Sequence, residues 1–501
     1  MANRRHVPRM ARLCARLGVV VTLLVAGASV GVATPTAGIV AAGSAARIDA
    51  NSANRVIFWS GCQDLLAMRD AELARWRKAG VGGFTCGMQW LSGMGGQAAF
   101  TDDLDAIPGA KQYDLERALV QKRLVERVHA HGMQLYFGLY LANSTNPQTP
   151  LAEWFDDPAW RDTVLPAIRD AASSAHAMGF DGLAWDLELY PQTDGRSTAT
   201  WNWDYPGNRA DETAVRDQVR QRGAQWMAAV TEGFPDVDVL AYHSEFPNTW
   251  DALVQREVND TERAYAESAN LDFWDGVTSV DGDWTVTFLN AVFYKTTHLD
   301  ADWDTAYTYE LNRLFALFSQ RLSHWDRVAD QVFASPFVWI SAGSTSFETA
   351  RDPGYVEDQL LAARRWGMHR MFANYTYDTL RTFDYAPYLR GLRAAARPGV
   401  VDDEPPTVTG EAAAASGSSV DLAGTAADNM AVRVVRWRTA SGDTGTATLN
   451  WVADGDPSSG YRWRTEWKAT GVPLRDGANL VTVTVEDIKG LTTSRVVTVA
   501  R

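Results

Sequence analysis

Eight short apolar runs alternate with longer amphipathic segments through most of this 501-residue chain, and that alternation limits it to very few folds. The runs occupy 56–61, 82–86, 133–140, 181–188, 237–243, 288–295, 331–340 and 370–375. Helix-like stretches at 70–79, 114–131, 160–178, 211–231, 305–328, 355–366 and 384–396 separate them. Gly80, Gly132, Gly179 and Gly367 each stand just before a run, where glycine commonly stops a helix. Strand and helix in strict alternation over roughly 350 residues predict a closed (β/α)8 barrel, an α/β fold, more readily than an open doubly wound sheet. No glycine-rich phosphate loop opens any of the helices, which argues against a dinucleotide fold. The fifth unit is the least clear, with 269–280 as its helix and 244–265 as a long loop.

The two ends differ from this middle. Arg4, Arg5, Arg9, Arg12 and Arg16 precede an apolar run at 17–32, and small residues follow at Ala33 and Ala45-Ala46. That is the layout of a secretory signal peptide, so 1–46 is expected to be a leader and the protein extracellular. The apolar run is short for a membrane span, and no later stretch reaches spanning length. Without those five arginines the net charge falls from −14 to −19. A nucleic-acid partner is therefore not expected, since phosphate binding needs clustered positive charge. A monomer without a membrane span after cleavage is the expectation.

Past Val401 helix patterns vanish, and short alternating strands follow at 432–439, 446–452, 461–468, 479–487 and 493–499. Residues 401–501 are expected to form an all-β immunoglobulin-like sandwich, resembling modules appended to many secreted bacterial enzymes. The barrel would then span 47–400. Within the sandwich Trp437, Trp451, Trp463 and Trp467 are expected to serve packing. Of the three cysteines Cys14 lies in the leader; Cys62 and Cys86 would form one disulfide or remain two buried thiols.

The chemistry concentrates in the fourth run, Asp181-Gly182-Leu183-Ala184-Trp185-Asp186-Leu187-Glu188, followed by Leu189-Tyr190-Pro191. Residues two apart on a strand share a side, about 7 Å apart by strand rise. Asp186 and Glu188 thus face one site together. Carboxylates on an apolar strand are costly to bury, and crowding raises one pKa, which sets an acid beside a base. Glycosidic cleavage requires such a pair, and in a barrel it belongs at the C-terminal ends of the strands.

This run resembles the strand-four motif Asp-Gly-x-x-x-Asp-x-Glu of glycoside hydrolase family 18, the chitinase-type enzymes. The resemblance implies that Glu188 donates a proton to the leaving oxygen and that Asp186 orients the substrate's own 2-acetamido group. Tyr294, in the sixth run, would correspond to the tyrosine that assists that group. The chain departs from the family at Ala184, where a third acid is usual, and at Tyr136-Phe137-Gly138-Leu139-Tyr140, which replaces Ser-x-Gly-Gly on strand three. Alternatively Asp186 is itself the nucleophile, with Glu188 as acid/base in a retaining mechanism, where the carboxyl groups stand about 5–5.5 Å apart. Glu245 and, after it, Asp378 are the acids for a more distant pairing.

A sugar substrate also suits the 20 tryptophans, many of which fall at strand ends or βα loops. Flat aromatic faces pack against the C–H faces of sugar rings. Candidate substrate contacts are Trp59, Trp90, Trp185, Tyr190, Trp203, Tyr242, His243, Glu245, Tyr294, Trp339 and Asp378. No metal or cofactor is expected, because the eight histidines form no ligand motif, and the absence of Gly-x-Ser-x-Gly argues against an α/β-hydrolase esterase. The competing reading is a non-catalytic carbohydrate- or cell-wall-binding protein on a degenerate barrel. A metal-dependent phosphodiesterase on the same fold would need a His/Asp/Glu cluster around His243 and Glu245.

Overall fold

The computed structural model describes residues 55–60, 62–86, 115–140, 153–186, 203, 208–242, 269–290, 303–340, 353–368, 371–375, 385–397, 402–412, 417–453 and 463–501. Eight strands close into a barrel in sequence order: β1 (Arg55–Phe58), β2 (Val81–Cys86), β3 (Gln134–Tyr140), β4 (Gly182–Asp186), β5 (Asp238–Tyr242), β6 (Thr285–Asn290), β7 (Val332–Trp339) and β8 (Met371–Tyr375). Every neighbouring pair is parallel, and β8 returns to β1 with Ile57 opposite Ala373. The helices that pack around it include α1 (Asp70–Ala79), α2 (Leu115–Ala130), α3 (Leu165–Met178), α4 (Glu212–Gly233), α5 (Asn270–Thr278), α6 (Trp303–Arg321), α7 (Pro353–Trp366) and α8 (Leu389–Ala395). The expected α/β barrel is the one observed, including a helix in the unclear fifth unit. Gly80, Gly132 and Gly179 follow helix ends at positive φ, and Gly367 directly follows the end of α7 without one.

Alternation along each strand divides the core into two parts. Val56, Phe58, Leu183, Trp185, Val239, Ala241, Val286 and Phe288 face the helices. Ile57, Tyr136, Ala184, Leu240, Tyr242, Leu289 and Phe337 fill the barrel interior. The lower interior holds a polar tie. Asp238 accepts hydrogen bonds from the Tyr136 hydroxyl at 2.9 Å and the Thr285 hydroxyl at 2.8 Å. Gly182 makes room for it, since a Cβ there would stand 2.0 Å from the Asp238 carbonyl oxygen and 3.0 Å from the Tyr136 ring. Asp181 anchors the start of β4, accepting from the Leu135 amide at 2.8 Å and pairing with His129 at 2.9 Å. Cys86, at the end of β2, is disulfide-bonded.

The C-terminal region forms two antiparallel sheets. β9 (Thr407–Val408), β10 (Glu411–Ala412), β11 (Ser419–Ala427), β14 (Thr448–Ala453) and β15 (Trp463–Pro473) make one. β12 (Val432–Thr439), β13 (Thr444–Thr446), β16 (Ala478–Asp487) and β17 (Thr492–Ala500) make the other. Leu422, Leu449, Trp467, Val434, Val481, Val483 and Val485 are buried among them. Residues 46–501 form one compact unit, so these sheets and the barrel belong together. Their seat is α6. Leu449 gives its amide to the Ser319 hydroxyl at 2.8 Å, and its carbonyl accepts from the Gln320 side chain at 2.7 Å. Asn312 accepts from the Val432 amide at 3.1 Å, and Tyr309 meets Trp451 and Trp463 edge-on at 4.7 and 5.7 Å. Trp451 and Trp463 thus serve packing, as expected, although they pack against the barrel's helix. Glu310, also on α6, is buried with neither carboxyl oxygen hydrogen-bonded.

Candidate functional site

Parallel strands in a closed barrel all end on one rim, and here that rim carries Tyr140, Asp186 and Tyr242 in register on β3, β4 and β5. Trp339 and Tyr375 stand in register at the ends of β7 and β8. Asp186 is the last residue of β4, two positions beyond the inward Ala184. The residue expected to be catalytic therefore lies on the rim where barrel sites form.

Beneath the rim the interior is apolar and aromatic. Trp59, directly after β1, is half-buried and packs on the interior cluster. Its ring meets Tyr242 edge-on at 4.6 Å, and Tyr242 in turn meets Phe337 at 5.2 Å. Edge-to-face contacts of this kind fix ring orientation as well as burying area. Of these three stacked residues Tyr242 and Phe337 are wholly buried, and Trp59 alone keeps part of its surface accessible. Ala184 belongs to the same apolar cluster. A third carboxylate at that position would be desolvated among hydrocarbon, which explains how the departure from the chitinase-type pattern fits this interior.

Trp185 does not line the rim. It is fully buried on the helix side of β4, stacked on Trp274 at 5.6 Å and perpendicular to Trp226 at 5.7 Å. The expectation that Trp185 contacts substrate is corrected by simple alternation: with Ala184 inward, its neighbour points to α4 and α5. Trp203 lies in the connection that follows β4, 38% exposed, with its carbonyl oxygen held by the Asn208 side chain at 2.6 Å. Tyr242 is wholly buried, so it supports the floor beneath Trp59. Glu188, Tyr190, Trp90, His243, Glu245, Tyr294 and Asp378 lie outside the described residues, and of Asp186 and Trp339 only the backbone is described.

Among the described residues one group of three acids converges, Asp402, Asp428 and Asp487 in the C-terminal region, with one carboxylate oxygen of each within 4.8 Å of the other two. Sequence spacing could not have shown it, because the three are far apart in the chain and include no histidine or cysteine.

No family model matches the chain, and no curated protein matches it. Solved structures do. A GH5-4 broad-specificity endoglucanase from an uncultured bacterium covers 69% of this chain and 94% of its own at 10% identity and a TM-score of 0.40. A glycoside hydrolase family 5 enzyme from Prevotella bryantii covers 70% of this chain and 98% of its own at 10% identity and a TM-score of 0.40. A GH5_18 protein from Streptomyces cattleya, in complex with GlcNAc, covers 69% and 80% at 12% identity and a TM-score of 0.38. Identities and scores this low leave the function of this chain to its own residues.

Proposed function

We propose that this protein is a secreted glycoside hydrolase that cleaves an extracellular polysaccharide or oligosaccharide with retention of configuration. The observation that carries the reading is the position of Asp186 at the C-terminal rim of a closed parallel barrel, in register with Tyr242 and above an aromatic floor. Glu188, two residues on, acts as general acid/base. Asp186 serves as the nucleophile or as the group that steadies a substrate acetamide. Trp59 offers a stacking face to a sugar ring, and Trp203 offers a second from the connection after β4. Residues 1–46 act as the leader, 47–400 as the catalytic barrel and 401–501 as an immunoglobulin-like module.

The test is a polysaccharide panel with the anomer of the first product read by NMR. The first-formed product should keep the substrate's anomeric configuration. Glu188→Gln and Asp186→Asn should each lower kcat by about 10²-fold or more with unchanged circular dichroism. Full turnover in Glu188→Gln would remove that residue from the mechanism. Tight binding without cleavage across the panel would instead establish a carbohydrate-binding protein.

A further inference from the structure

Three aspartates that are distant in sequence meet in the C-terminal sheets. Asp402 stands ahead of β9, Asp428 directly follows β11, and Asp487 ends β16. One ligand atom from each lies within 4.8 Å of the other two. Each acid commits one oxygen to its own turn. Oδ1 of Asp402 accepts from the Glu404 amide at 3.2 Å and the Asn429 side chain at 3.3 Å. Oδ1 of Asp428 accepts from the Met430 amide at 2.7 Å. Oδ1 of Asp487 accepts from the amides of Lys489 at 2.7 Å and Leu491 at 3.0 Å. The second oxygen, Oδ2, of all three is buried and has no hydrogen-bond donor.

The decisive member is Asp487. Its side chain is 0% exposed, yet half of its carboxylate has no protein partner. A buried carboxylate oxygen without a donor costs free energy, and two more acids turned to the same place add repulsion. Turns that hold three acids together against their repulsion make sense if a cation completes them. The donors are all carboxylate oxygen, with no imidazole or thiolate, which suits a hard divalent ion.

We propose that Asp402, Asp428 and Asp487 bind a calcium ion that ties the segment ahead of β9 to the turns after β11 and β16. The ion would join points already linked by weaker contacts. Asn429 reaches Asp402, and the Ile488 amide donates to the Ala431 carbonyl at 3.1 Å. Beside Ile488, the Lys489 ammonium donates to the carbonyl of Gly367, just past α7, at 3.0 Å. Calcium would therefore stabilise both the sandwich and its seat on the barrel. The site is independent of the rim that holds Asp186.

The experiment uses the full chain treated with EDTA, then titrated with calcium chloride by calorimetry and followed by thermal unfolding. We expect one ion bound per chain and a rise in Tm of a few degrees at about 5 mM calcium, as for a Kd on the order of 10⁻⁴ M. Magnesium chloride should give a much smaller rise, because it demands a tighter octahedral shell. Asp487→Asn and Asp428→Asn should abolish the rise, while in EDTA they should melt no lower than the parent because repulsion is relieved. The half-buried Asp402→Asn gives the same readout should the Asp487 variant fail to fold. The proposal is overturned if the parent neither binds calcium nor shifts, if magnesium matches calcium, or if the variants keep the shift.

Discussion

Glu310 lets stability be titrated through a single side chain. It lies on α6, is 1% exposed, and neither carboxyl oxygen is hydrogen-bonded. Burial pushes its pKa from 4.5 up to about 8, against a smaller opposing pull from Arg313. Below about pH 4.5 the group is protonated whether the chain is folded or not, and its ionisation takes nothing from stability. Above that the unfolded chain ionises while the folded chain holds its proton. Stability therefore falls by about 1.4 kcal/mol per pH unit until about pH 8. Between about pH 5 and pH 7.5 the loss amounts to about 3 kcal/mol. Glu310→Gln keeps the shape of the protonated acid and removes the titration. The variant should match the parent near pH 5 and exceed it by about 3 kcal/mol near pH 7.5. Urea denaturation followed by tryptophan fluorescence, in EDTA at both pH values, measures this. Subtracting one protein from the other cancels Asp428 and Asp487, whose carboxyls burial also pushes up, to about 6 and about 7. Parallel stability curves for the two proteins would refute the reasoning and show that Glu310 ionises as freely folded as unfolded.

Gly182→Ala places a methyl 2.0 Å from the Asp238 carbonyl oxygen, so β4 and β5 must separate. Overpacking of this kind costs about 1–3 kcal/mol in urea denaturation, and it should lower kcat as well because Asp186 rides on the displaced strand. Trp185→Phe and Trp59→Ala should divide cleanly in paired denaturation and kinetic assays. The first should lose about 1–3 kcal/mol of stability with KM unchanged, and the second should raise KM with folding intact; a KM effect at Trp185 would contradict its placement behind the barrel wall.

The barrel was legible because eight separated apolar runs with glycine stops admit few closed arrangements, and β4 was legible to within a residue at its start. Side-chain direction was harder. Trp185 sits between two residues of the motif, and its neighbours alone do not show that it faces α4 and α5. β11 is hard to see in the sequence because Ser419–Ala427 carries three alanines and a glycine, with only Val420 and Leu422 as large apolar inward positions. β6 begins at Thr285, where threonines mask the apolar alternation that marks a strand. The aspartate group was invisible for a different reason: its members come together only when the turns after β11 and β16 are folded beside the segment ahead of β9. Trp59 and Tyr242 were visible as strand-end aromatics, but their division of labour, one presented and one supporting, needed the packing.

The seat of the sandwich on α6 bears on how this protein can be dissected. A module carried on a string can be clipped away and its partner studied alone. Here Tyr309, Asn312 and Ser319 on the barrel side would lose Trp451, the Val432 amide and the Leu449 amide together. A chain cut near residue 400 would turn a dry, hydrogen-bonded face of α6 into a sticky one. Failure of such a shortened protein to stay in solution would then report a missing lid on the helix layer, and would say nothing about whether the sandwich touches a sugar.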